Sequence, residues 1–144
     1  MAGYSGTPLA KKLGIRAGDV VALIDAPAGA ATLLEPRPEH VTIRASARGN
    51  ADVSVVFCRD RRAFDRRLPR FWDRAFPDRM VWVAWPKKSS DAFVDLTEDQ
   101  VRAAALPLGL VDVKVCAIDD TWSGLKLVVR KELRDLDAVA SQRD

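Results

Sequence analysis

Arg59, Arg62, Arg66, Arg70 and Arg74 recur at spacings of three and four residues, so a helix through them would carry guanidinium groups along one face. Such a row offers planar, permanently charged donors to phosphate oxygens, and a nucleic-acid backbone could lie along it. The interleaved Asp60, Asp65 and Asp73 support the plainer reading of a solvated face with local ion pairs. No exposed aromatic platform for stacking bases accompanies the row.

A second set of residues follows apolar runs or lies in the turn between two of them: Asp25, Pro27, Gly29, Lys87, Lys88, Asp119 and Trp122. With the amides of a helix starting at Thr97, Lys87 and Lys88 could hold an anion such as phosphate. On the plainer reading they are loop charges and Trp122 caps the core. Asp25, Asp119 and Asp120 could supply carboxylates for acid and base work, although aspartates are common at strand ends and turns. Lys114 interrupts an apolar run, and strict alternation would put it on one face with Asp112, Cys116 and Ile118. It is either a lysine of altered basicity in a ligand crevice, or a residue of an exposed edge or a structural ion pair.

Other chemistries lack their residues. His40 is the only histidine, no serine sits in a nucleophile elbow, and Cys58 and Cys116 lie inside apolar runs without metal-ligand spacing. Hydrolytic triads, a zinc site and a disulfide framework are therefore not expected, and the thiols should be reduced and buried.

The elements that must position these groups follow from periodicity. The chain has 144 residues, 48% hydrophobic and 30% charged, enough for one domain with its own core. Its net charge of +3 is concentrated between residues 59 and 79, where eight arginines face four aspartates. No apolar run approaches the roughly 18 residues of a membrane span, and the first residues lack a basic region leading into an apolar stretch. A cytoplasmic protein with no membrane partner is expected.

Apolar runs predict strands over 20–24, 41–45, 53–58, 80–85, 111–118 and 125–130. A short helix is expected over 7–14 and a brief one over 28–35. The stripe Phe64, Leu68, Phe71, Trp72, Ala75 and Phe76 predicts an amphipathic helix kinked at Pro69. Thr97 and Gln100 are spaced as a capping box, with Leu96 and Val101 as the hydrophobic staple of a helix running to about Leu106. The segment 119–124 is short enough only for a hairpin, and 132–144 reads as a frayed helix or polar tail.

Alternating strands and helices closed by one antiparallel hairpin define a single-domain α/β three-layer sandwich with a mostly parallel sheet over residues 1–131. This order, with the lead-in Leu13-Gly14-Ile15-Arg16-Ala17-Gly18-Asp19-Val20-Val21, resembles the class I S-adenosylmethionine-dependent methyltransferase fold, with one crossover helix shortened and one βα unit missing. At finer grain three strings resemble a family of short bacterial proteins classed as a domain of unknown function. These are Tyr4-Ser5-Gly6-Thr7-Pro8-Leu9, Val83-Ala84-Trp85-Pro86-Lys87-Lys88 and the run from Gly109 to Asp119. That likeness implies a fold and no activity.

The methyltransferase resemblance implies an acidic residue and a Gly-x-Gly turn after the first strand, where backbone approaches the cofactor closely. Asp25-Ala26-Pro27-Ala28-Gly29 keeps the acid and the last glycine but has Pro27 in the place of the first. The acid that would hold the ribose hydroxyls after the second strand is replaced by Ala45-Ser46-Ala47-Arg48. No cofactor is therefore expected in the family's manner. The leading expectation is a non-catalytic or cryptic Rossmann-like module that binds a small anionic ligand or a protein partner at the crevice. The alternatives are an S-adenosylmethionine-dependent enzyme with a remodelled loop, and nucleic-acid binding through the arginine row.

Overall fold

The computed structural model of the chain describes residues 6–134. Six strands form one sheet: β1 (Val20–Ile24), β2 (Thr42–Arg44), β3 (Val53–Phe57), β4 (Met80–Pro86), β5 (Leu110–Ala117) and β6 (Trp122–Val129). Their order is β2-β1-β3-β4-β6-β5. The first four run parallel, while β6 is antiparallel to both β4 and β5. The central strands β1, β3 and β4 are almost wholly buried, which is why they read as unbroken apolar runs. Asp52 ties their starts together: its carboxylate accepts from the Val20 amide at 2.8 Å and its carbonyl from the Met80 amide at 3.1 Å.

One face of the sheet is covered by α2 (Arg61–Arg67), α3 (Phe71–Ala75) and α4 (Glu98–Ala105), which bury Phe64, Phe71, Val101 and Ala105 against β1, β3, β4 and β6. Among the described residues, the other face has only α1 (Leu9–Lys12) and the 3-10 turn Ala30–Leu34, packed on Val21, Leu23, Val55 and Trp82. The brief helix expected over 28–35 is thus a single 3-10 segment.

Pro69 has the expected effect. α2 stops at Arg67, the 3-10 turn Leu68–Arg70 carries the proline, and α3 restarts at Phe71. The apolar stripe survives the break, with the Phe64 and Phe71 rings 5.8 Å apart, edge to face. At α4 both halves of the capping box are present, and Leu96 and Val101 are buried in the same core.

Two local expectations change. β6 begins at Trp122 rather than Leu125, because Trp122, Ser123 and Gly124 pair with Pro86, Trp85 and Ala84 of β4. The hairpin tip shrinks to residues 118–121 accordingly. In β5 a bulge between Asp112 and Lys114 breaks the alternation: Asp112 pairs with Leu127 but Lys114 with Lys126. Asp112 therefore turns toward α4, where it meets Arg102 at 2.9 Å, while the Lys114 amine reaches the Lys12 carbonyl at 3.2 Å on the opposite face. After Lys131–Leu133, a 3-10 turn, the remainder of the expected tail lies outside the described residues.

Candidate functional site: a basic cleft at the switch point of the sheet

From β1 the chain turns outward to β2, then returns across β1 to β3, so the strand order reverses between β1 and β3. In open α/β sheets the crevice outside the carboxyl ends of the strands at such a reversal is the favoured ligand site. An open cleft of about 960 Å³ lies there. Its floor is Asp25, Ala26 and Pro27 after β1, Phe57 at the end of β3, and Arg59 and Asp60 after it. Arg62, Ala63 and Arg66 of α2 form one wall, and Pro86, Val94 and Trp122 close the far side.

Aromatic packing and charge give the cleft two different ends. Phe57 and Trp122 meet edge to face with ring centroids 5.1 Å apart, and with Pro86 and Val94 they present an apolar wall. Opposite stand Arg59, Arg62 and Arg66. Of the two carboxylates in the lining, Asp60 caps α2 by accepting from the Ala63 amide at 2.8 Å. Asp25 is clamped by both arms of Arg67, at 2.8 and 2.9 Å. That hydrogen-bonded pair, stronger than the opposing effect of partial burial, holds the Asp25 carboxyl below its ordinary value. The net field of the cleft is therefore positive.

Asp25 is an ionised, hydrogen-bonded carboxylate, and Cys58 lies buried at the end of β3, its thiol pushed up to about 12 mainly by burial. Cys116 is half-buried, and burial raises its thiol too. No group of acidic, histidine or cysteine side chains among the described residues could hold a metal ion.

The residues singled out from sequence separate into several places. Asp25, Pro27 and Trp122 line the cleft, and so do Arg59, Arg62 and Arg66 from the arginine row. Arg70 and Arg74 turn instead into a second hollow, because the break at Pro69 ends the continuous helix face that their spacing assumed. Lys87 and Lys88 follow β4 at the same end of the sheet without lining the cleft, and Gly29 starts the 3-10 turn. Asp119 is spent on the hairpin tip, accepting from the Thr121 and Trp122 amides at 2.9 and 2.7 Å. Lys114 lies on the outer strand, against α1. Sequence reasoning missed Phe57, Pro86, Val94 and the Arg67 clamp. Phe57 and Pro86 were legible as the residues that end apolar strands; the pairing of Arg67 with Asp25, 42 residues earlier, had no signal in spacing.

Comparison with known proteins bears on the frame that carries this cleft. No family model and no curated protein matches the chain. Among solved structures it is similar to the 1,6-didemethyltoxoflavin-N1-methyltransferase of Burkholderia thailandensis, with 16% identity, coverage of 83% of this chain and 73% of that one, and a TM-score of 0.54. It is also similar to a ribosomal protein L11 methylase from Lactobacillus delbrueckii subsp. bulgaricus, with 11% identity, coverage of 84% and 74%, and a TM-score of 0.51. The six-stranded mixed sheet with its helices thus has a methyltransferase-like Rossmann fold.

Proposed function

We propose that this protein binds a small anionic ligand carrying a planar or apolar part in the switch-point cleft. The observation that carries the reading is the pairing of Arg59, Arg62 and Arg66 with the Phe57–Trp122 wall across one cavity. Guanidinium groups supply planar donors to phosphate or carboxylate, and the aromatic wall takes the ring. The test is thermal-shift screening against nucleotides, phosphorylated metabolites and S-adenosyl compounds, repeated with Arg62→Gln/Arg66→Gln. A binder should raise the melting temperature of the wild type and lose most of that effect in the double variant. No stabilisation by any of them would overturn the reading.

A second reading is an S-adenosylmethionine-dependent enzyme with a remodelled cofactor loop. The fold it shares with two methyltransferases supports this more than it supports a module without chemistry. The residues present do not fit the cofactor in the family's manner. Pro27 stands in the turn, Arg67 already occupies Asp25, and Ala45-Ser46-Ala47-Arg48 directly after β2 carry no carboxylate for a ribose. Calorimetry with S-adenosylmethionine and S-adenosylhomocysteine separates the readings: absence of binding at millimolar cofactor would end the second and leave the first intact.

A further inference from the structure

Residues 45–52 join β2 to β3 without a helix, crossing β1 on the face covered by α2 and α3. Ala47 and Ala51 of this connection reach the core, but so short a crossing cannot fill the layer between itself and the helices. A hollow of about 440 Å³ remains, and its wall is basic: Arg48, Arg67, Arg70 and Arg74 against the single carboxylate of Asp73. A gap that merely lacked bulk would gain nothing from clustered like charges, which repel one another at close range.

The bonding of these arginines leaves positive charge in excess. Arg74 donates to the Ser54 hydroxyl at 3.2 Å and to the Ala47 carbonyl, both neutral acceptors. Burial first, then the nearby Arg67, Arg44 and Arg79, lower the Arg74 guanidinium from its ordinary value. Arg44 donates to the Asn50 carbonyl at 2.6 Å, and its Nε is buried without a hydrogen-bond partner among the described residues. Arg48 and Arg70 are exposed and, among the described residues, form no ion pair. Only Arg67 has a carboxylate partner, and that partner, Asp25, lines the other cavity.

We propose that this hollow is a second ligand site, which takes the phosphoryl group of a small molecule. Guanidinium forks match phosphoryl oxygens, and a doubly charged group would relieve the mutual repulsion of the arginines. The arginine row is divided between two cavities instead of forming one track, so a compact phosphate suits the site better than a polynucleotide backbone. The hollow shares no lining residue with the cleft and does not depend on its ligand. The Arg67–Asp25 pair links the two cavities, so a phosphoryl group in the hollow competes with Asp25 for Arg67.

The test is calorimetric titration of the full chain with inorganic phosphate and with pyrophosphate, at ionic strength held constant with chloride. Saturable binding is expected. Arg48→Gln/Arg70→Gln should weaken it roughly tenfold or more, the scale of one lost charge-assisted hydrogen bond. Asp25→Asn should tighten it by freeing Arg67, and the binding that Arg48→Gln/Arg70→Gln weakens should persist in an Arg62→Gln/Arg66→Gln background, where the cleft has lost its own phosphate donors. Lys88→Gln serves as the control for loss of surface charge. No saturable binding to the wild type would overturn the site, as would a loss in the control equal to that in Arg48→Gln/Arg70→Gln. An affinity for single-stranded oligonucleotides that rises with length and exceeds that for pyrophosphate would replace the small-molecule phosphoryl group with nucleic acid.

Discussion

Asp25 and Arg67 form the most consequential side-chain pair in the molecule, because it stands between two basic cavities and fixes which charges each one presents. Both partners are partly open to water, with side chains 44% and 34% exposed, so the pair should add about 1 kcal/mol or less at neutral pH. The Asp25 carboxyl is held below its ordinary 3.8, so the contribution is present above that pH and disappears as pH falls through the lower folded-state value. Arg67→Met should therefore be slightly less stable than wild type at pH 7, and the two melting curves should converge in acid below about pH 4. A difference that persisted unchanged into acid would mean that Arg67 acts through packing alone. Asp25 was legible from its position after the first apolar run. The clamp was not, since it depends on how α2 lies across the sheet.

At the scale of elements, sequence signals worked where the physics is local. The Thr97 box is a contact between residues three apart, and it forms with the Thr97 amide 3.2 Å from the Gln100 side chain and the Gln100 amide 3.3 Å from the Thr97 hydroxyl. α4 is only eight residues long and depends on such end contacts. Thr97→Ala should cost about 1 kcal/mol in urea unfolding with an unchanged m-value, and a loss well below that would show solvent replacing the cap. The proline break between α2 and α3 was local and legible too. The bulge in β5 was not. It inserts one residue, Val113, and puts Asp112 and Lys114 on opposite faces, so alternation wrongly added Asp112 to the company that Lys114 keeps with Cys116 and Ile118. Along an outermost strand this bulge, the exposed Lys114 and the carboxylate of Asp112 also discourage pairing with other sheets.

For the whole molecule the two faces of the sheet are unequal, and the thinner one leans on Trp82. This side chain is fully buried on the face covered by α1, and its indole nitrogen donates to the Leu13 carbonyl at 3.0 Å. That bond joins the residue after α1 to a central strand 69 residues later. Trp82→Phe would remove buried volume and leave the carbonyl without its partner, costing about 2–4 kcal/mol. Chemical unfolding checks this, and a loss under about 1 kcal/mol would mean that water or a shifted α1 takes the place of the indole. The sequence by itself determined the parallel αβ alternation, the closing hairpin, the capped helix and the absence of a glycine loop after β1, because each rests on periodicity or contacts a few residues apart. Only the tertiary structure decided that the arginine row splits between two cavities, that Asp25 is held by Arg67, and that the helix-free link from β2 to β3 leaves a basic hollow. Those features depend on the distance between elements remote in sequence, which no spacing along the chain records.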